Sequence, residues 1–391
     1  LRDSTKTTHG LFAVLVLPYA FTASVTALLM PYLLRAHGAA VDEIAAIVAV
    51  ANLPSIWSFL WSPVIDTGMS KRFWVAVSAL GAGVTASAAV LAVDGSHSRL
   101  TAILFVMNAF GGLLSSTCGA LLTAVPEDSR GHAAGWYQGA NTGASALGGA
   151  LLIWLVDHVS VTMLAGMCLA GMALPAVAAL RIAEPRVAQR AAGAFVRDLR
   201  DLLLASRTWI GLVFLLSPVG SAAIGQIISG MGPDYGASGT EVAWVTGVAS
   251  GLFAAVGALI GGTVAARIGR MISYPIAGAL ACLFAVYLGF AAATPLTYAV
   301  GYSGYSLAGG FAYAVYTAIV LDIIGRREHA AASSYAVLNS AGNLPIAYMT
   351  WFDGLAYRQG GVRGLTLADA GANGGFAALL LVVALAVRRR R

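Results

Sequence analysis

The chain has 391 residues, 59% hydrophobic and 10% charged, with a mean hydropathy of +0.80, against the roughly 25% charged residues of an ordinary soluble domain. Such a sequence cannot cover itself with polar surface, which excludes a soluble enzyme or a water-exposed binding domain. The formal net charge of +6 lies in short connections between apolar runs rather than on one face, which excludes a nucleic-acid-binding surface and points to membrane topology instead.

Taken in chain order, apolar runs bounded by charge, Gly or Pro predict spans near 11–36, 43–65, 73–92, 100–125, 135–156 and 161–181. Six more follow near 208–231, 241–266, 274–292, 296–323, 331–353 and 371–387. Many approach the ~20 residues that a bilayer core demands. The expected fold class is an all-α polytopic membrane protein of about twelve transmembrane helices, organised as two pseudo-symmetric six-helix bundles. These are residues 1–182 and 208–391, joined by a linker at 183–207. The first run is too long for a signal-peptide core and carries Pro18 and Pro31 in mid-span. With Leu1 where an initiator methionine would stand, further residues upstream are expected. Cys118, Cys168 and Cys282 each lie inside an apolar run with no metal or redox spacing, so they read as packing residues. No cofactor or metal is expected.

An even number of spans puts both termini on one side. On that side fall 19 of the 23 basic residues, including Arg2, Lys71, Arg72, Arg130, Arg267, Arg270 and Arg388–Arg391; Arg35, Arg99, Arg358 and Arg363 fall on the other. The positive-inside rule then makes the termini and the linker cytoplasmic, in a bacterial inner membrane. Within the linker, Phe195, Leu199, Leu202 and Leu203 oppose Arg197, Asp198, Arg200 and Asp201, the pattern of an amphipathic helix lying on the membrane surface or of a tether between bundles.

The halves repeat. Arg130-Gly-His132-Ala-Ala returns as Arg327-Glu-His329-Ala-Ala at an offset of 197, and Gly111-Gly112 as Gly309-Gly310 at 198. Asn141 returns as Asn339 at 198, and Pro18 as Pro218 at 200. Four matches in order at nearly one offset indicate a duplicated bundle, the construction of many transporters.

Between spans 8 and 9 the sequence Gly262-Thr-Val-Ala-Ala266-Arg267-Ile-Gly269-Arg270 resembles the G-x-x-x-D-R-x-G-R signature of the major facilitator superfamily, with Ala266 in the place of the acid. The first copy keeps the acid, in Ser62-Pro63-Val-Ile-Asp66-Thr67-Gly68 followed by Lys71-Arg72. The resemblance implies the twelve-helix fold of that family and a gating latch of Asp66, Lys71, Arg72, Arg267 and Arg270; the plainer reading is that these residues mark the ends of spans. Phe59-Leu60-Trp61-Ser62-Pro63-Val64-Ile65-Asp66 resembles the F-L-W-[AS]-P-x-x-D segment of the branch holding AmpG-like muropeptide permeases, acetyl-CoA transporters and RhtX/FptX siderophore permeases. Ser58 stands where the AmpG-like proteins commonly carry a lysine.

Polar side chains at membrane depth need a cavity or a partner. On span 11, Tyr335, Asn339 and Asn343 share one face; on span 10, Tyr302, Tyr305, Gly309, Tyr313 and Tyr316 do so; on span 5, Gln138, Asn141 and Ser145. Tyr19, Asn52, Trp57, Ser221 and Gln226 add to the candidate solute-lining set, and interhelical hydrogen bonding is the competing role for all of them. Trp57 with Trp61 also fits an interfacial aromatic belt. Gly139-xxx-Gly143 and Gly257-xxx-Gly261 read as close helix contacts. No acid or base is expected at the centre of a span: Asp66, Asp157, Asp322 and Asp353 fall near span ends, and Asp322 is the candidate coupling residue, with protons the candidate ion.

The function that follows is non-enzymatic: a monomeric secondary transporter moving a small-to-medium polar or amphipathic solute by alternating access, in the uptake direction for a siderophore- or muropeptide-like substrate. Efflux of drugs or metabolites is the alternative. A receptor or membrane enzyme would need a ligand domain or a catalytic constellation, and the sequence has neither; His132 and His329 read as contacts at the loops.

Overall fold

A computed structural model describes residues 2–57, 60, 65, 69–123, 127–181, 200, 204, 206–324 and 331–389. The first bundle consists of α1 (2–36, with a π turn at Val25–Leu29), α2 (Val41–Ile56), α3 (Lys71–Leu91), α4 (His97–Thr123), α5 (Glu127–Val156) and α6 (161–181, 3-10 over Leu174–Arg181). The second consists of α7 (Ser206–Leu215), α8 (239–268, with a π turn at Trp244–Ala249), α9 (Arg270–Phe290), α10 (Pro295–Ile324) and a helical run Ala331–Arg389. Gly360 and Gly361 break that run into α11 (331–359) and α12 (362–389). Among the described residues, eight helical stretches are long and apolar enough to cross a membrane; one of them, Ser340–Ala386, contains both α11 and α12.

Helix starts follow from side-chain caps. Ser70 Oγ accepts the Phe73 amide at 3.1 Å at the start of α3, and Ser160 Oγ accepts the Met163 amide at 3.3 Å at the start of α6. Ser238 and Glu241 form a reciprocal capping box at the start of α8. Each satisfies amides that a first helical turn cannot pair internally.

Two sequence expectations fail here. Span 7 is not continuous over 208–231: its helix stops at Leu215, and the chain turns irregularly before 3-10 and α turns over 223–235. Pro218 withdraws an amide from the ladder, and Gly220 (φ +80°) and Ala222 (φ +50°, ψ +36°) take left-handed conformations. The equivalent Pro18 leaves α1 helical. The second failure concerns residues 354–370, expected as a connection but helical except at Gly360 and Gly361. Gly361 turns at φ +59°, ψ −148°, open only to glycine. The polar Arg358, Gln359, Arg363 and Asp369 lower the hydropathy of this stretch without preventing helix, so α11 continues to 359 and α12 begins at 362.

Small residues set the closest approaches. A β-carbon at Gly257 or Gly261 would collide with the Leu307 or Phe311 backbone of α10, the close contact expected of that motif. Gly139 and Gly143 do not repeat it: a β-carbon at either would meet nothing within 4 Å.

Arg35 near the end of α1, Asp234 before α8 and Tyr357 near the end of α11 meet at one end of the helices, called here the far end, and the opposite end, where α1 begins and α12 finishes, is called the terminal end. One apolar core joins both halves towards the far end, with Leu28, Leu29, Ile44 and Leu152 packed with Ile224, Ile228, Met231 and Tyr298. Towards the terminal end the described residues form a separate core in each half: Phe12, Leu15, Val75 and Leu114 in the first, Phe214, Phe311, Val315 and Leu380 in the second.

Candidate solute pathway

The α7 break is held by neighbouring tyrosines. Its freed carbonyls accept hydroxyls from three helices: Leu216 from Tyr348 (2.9 Å), Val219 from Tyr274 (2.6 Å) and Ile228 from Tyr298 (3.1 Å). Irregular backbone at membrane depth is tolerated when protein satisfies it in this way, and discontinuous helices are where transporters build solute sites. Ser221 Oγ, inside the break, is buried without a partner. Gln226 lies at its end and accepts a hydrogen bond from Asn52 Nδ2 of α2 at 3.2 Å, so two predicted residues from opposite halves meet. Asn343 Nδ2 of α11 donates to the Ser55 carbonyl of α2 at 3.1 Å, a second bond between halves.

The remaining predicted residues distribute unequally. Tyr19 joins Ser115 and Tyr137 between α1, α4 and α5, with Tyr137 Oη 3.3 Å from Ser115 Oγ. Tyr313 of the second half is an electrostatic neighbour of Tyr137. Along α10 the tyrosine face divides: Tyr302 and Tyr305 are buried near the α7 break, whereas Tyr313 is exposed and stacks on Tyr316 at 6.5 Å. Asn141 is half-buried, between the two α5 glycines that face open space. Ser145 packs inward instead, donating to the Ala20 carbonyl of α1. Trp57 is exposed and meets Phe105 edge-on at 6.0 Å.

Of the gating set, Lys71 Nζ donates to the Ile65 carbonyl at 2.8 Å and Arg270 to the Ala318 carbonyl at 3.3 Å. Arg72 is half-buried and Arg267 exposed. Asp66, Trp61, the linker core 183–199 and His329 lie outside the described residues, as do the side chains of His132, Gln138, Asp322, Tyr335 and Asn339.

Sequence reasoning missed the far-end closure. Arg35 Nη2 donates to Asp234 Oδ1 at 2.6 Å, and Tyr357 Oη donates to Asp234 Oδ2 at 3.0 Å, tying α1, the end of the α7 region and α11 together. Nearby, Ser229 Oγ donates to the Leu28 carbonyl at 2.7 Å. A signal for this latch existed: Arg35 and Asp234 are 199 residues apart, within the repeat offset, so opposite charges occupy equivalent positions of the two halves. Outside the latch is a small cleft of about 210 Å³ bordered by Asp234, Tyr235, Gly289 and Arg363.

Sequence reasoning also missed the burial of two acids. Asp353 and Asp369 are fully buried, on α11 and α12, because both helices run well beyond the boundaries that hydropathy suggested.

Comparison with known proteins agrees with this architecture. Solved structures that resemble the chain include a D-xylose–proton symporter (12% identity, TM-score 0.75, 97% of each chain), the nucleoside transporter NupG as a point mutant (14%, 0.72, 96% of this chain and 98% of that one), and a bacterial homologue of the human lysosomal transporter Spinster (14%, 0.67, 98% and 96%). At these identities they attest the fold. No curated protein matches in sequence. Residues 12–344 match the family described as Major Facilitator Superfamily, which covers most of both bundles. The chain belongs to the major facilitator superfamily and is a multi-pass secondary transporter.

Proposed function

We propose that this transporter takes up a small-to-medium polar or amphipathic solute across a bacterial inner membrane, and that the structure is its inward-facing state. The observation that carries the reading is the division of the apolar core among the described residues: the halves share one core at the far end, and towards the terminal end each forms a core of its own. If the positive-inside rule places the terminal end in the cytoplasm, the far end is closed to the periplasm and the pathway opens inward. Tyr19, Asn52, Ser221, Gln226, Tyr313 and Asn343, with Asn141 on the open face of α5, are proposed to contact the solute. Hydroxyls and amides without a fixed charge suit a neutral or amphipathic ligand with several hydrogen-bonding groups. The resemblance of residues 59–66 to the muropeptide and siderophore permease branch favours a siderophore- or muropeptide-like substrate.

The test is a thermal-shift screen of the purified chain against siderophores, muropeptides, sugars and nucleosides, followed by flux of the best stabiliser in right-side-out vesicles. A ligand at 100 times its Kd should stabilise the native state by about 2.7 kcal/mol. Accumulation inside the vesicles is expected; extrusion instead would replace uptake with efflux.

A further inference from the structure

Arg358 and Arg363 flank the Gly360–Gly361 hairpin at the far end, both exposed, and among the described residues neither forms an ion pair. They belong to the few basic residues that the sequence leaves on this side, which the positive-inside rule keeps poor in cations. Arg363 is doubly misplaced, because it stands in the first turn of α12, and the positive end of a helix repels a cation. A negative group bound beside it would offset that repulsion.

Arg363 borders the far-end cleft of about 210 Å³, which is smaller than the ~300 Å³ at which sites for drug-sized ligands begin. Asp234 borders it as well, with its side chain 16% exposed and one donor on each carboxylate oxygen, from Arg35 and Tyr357. Each such oxygen has room for a second donor. Gly289 and Phe290, the last residues of α9, form another wall and bring the negative end of that helix to the cleft. One side of the cleft is therefore positive, from Arg363 and the start of α12, and the other negative, from Asp234 and the end of α9. Beyond the cleft the same two helices turn apolar surface outwards. They pack together with Gly278 against Ala377 and Gly289 against Thr366, while α9 exposes Leu283, Tyr287 and Phe290. On α12 the exposed Leu367 lies one turn from Arg363, and Gly371 and Gly375 follow on the same face, where a β-carbon would meet nothing within 4 Å. An unfilled apolar strip thus runs from the arginine along α12.

We propose that this cleft binds the headgroup of a zwitterionic phospholipid, its phosphate on Arg363 and its primary ammonium on Asp234, with an acyl chain lying along the strip of Leu367 and the two glycines. A soluble zwitterion would share the polar contacts but leave the strip uncovered, so the continuity of cleft and strip favours a lipid. An anionic lipid brings no cation to Asp234 and the end of α9, and a choline headgroup has no N–H to donate. A bound headgroup ties the start of α12 to the segment that carries Asp234, and so adds a lipid contact to the Arg35–Asp234–Tyr357 cluster. The inference goes beyond the transport reading and depends on neither the solute nor the direction of flux.

The full-length chain is reconstituted in nanodiscs of phosphatidylethanolamine, phosphatidylglycerol and phosphatidylcholine in equal parts, released into mild detergent, and the lipid retained per chain is read by native mass spectrometry. Phosphatidylethanolamine should be retained over the other two. Arg363→Gln should lower its retention about tenfold, the worth of one charge-assisted hydrogen bond. Arg358→Gln, outside the cleft, should leave retention unchanged. Ala292→Trp fills the cleft with every charge in place and should lower retention as well, which keeps the test decisive if Arg363→Gln fails to fold. Added glycerophosphoethanolamine separates the two sources of the headgroup: it should not displace the lipid, and displacement would overturn the lipid assignment in favour of a soluble zwitterion. Equal retention of the three lipids by the parent, or undiminished retention in both cleft variants, would overturn the site itself.

Discussion

Single residues in this protein do two kinds of work, and Asn343 shows how they are told apart. Its amide donates to the Ser55 carbonyl across the interface between halves, so Asn343→Leu should cost about 0.6 kcal/mol, the typical worth of an interhelical hydrogen bond in membranes. Leu338, at 1% exposure in the core of the second half, should cost about 2–5 kcal/mol when cut to alanine, because a cavity remains. Thermal unfolding of both variants checks the contrast. If Asn343→Leu also abolishes binding of the screened ligand, the amide serves the solute as well as the interface. The one-face spacing of polar residues was legible in sequence, but which partner each would find was not. Ser145 and Asn141 sit one turn apart on α5, yet the first bonds to α1 while the second lies between glycines that face open space.

Among the elements, α7 departs furthest from its repeat partner. Pro18 and Pro218 hold equivalent places, but α1 continues and α7 breaks. The difference lies in what surrounds the freed carbonyls, since Tyr274, Tyr298 and Tyr348 supply hydroxyls from three other helices. Gly220 is essential to the break, because a β-carbon there would sit 3.0 Å from Tyr274 Oη and Ala312 Cβ at a left-handed φ. Gly220→Ala should therefore destabilise by about 1–2 kcal/mol. Gly119→Ala is the control: it lies in helical backbone where a β-carbon meets nothing within 4 Å, and should gain about 0.5–1 kcal/mol from helix propensity. Denaturation midpoints in one detergent would compare the two, and equal effects would argue against a strained break.

For the whole molecule, the inward-facing reading proposed above gives the Arg35–Asp234–Tyr357 cluster the role of holding the far end closed. Arg35→Ala removes the cation from Asp234 and should shift the balance of states towards the outward one, by about tenfold for each ~1.4 kcal/mol lost. Spin-label distances between the α1–α2 and α7–α8 loops would report it. Because Arg35 and Asp234 occupy repeat-equivalent positions, the exchange Arg35→Asp with Asp234→Arg should recover most of the closed population. A swap that stays open would show that Tyr357 or the surrounding core, rather than the charge pair, carries the closure.

By itself the sequence determined the all-helical membrane fold of about twelve helices and its superfamily. Hydropathy, basic-residue asymmetry and repeat offset act over tens of residues and survive errors of several residues at each boundary. Only the tertiary structure decided where α7 breaks, where α11 and α12 turn, and which acids are buried. Local hydropathy treats Arg358, Arg363 and Asp369 as signs of a connection, whereas helix continues wherever neighbouring helices or water satisfy its polar groups. Asp353 and Asp369 lie 16 residues apart in sequence, on two helices that fold back at Gly360 and Gly361, and the fold brings Asp369 to Tyr305 of α10. No window along the chain contains that meeting, because it depends on a hairpin only two residues long.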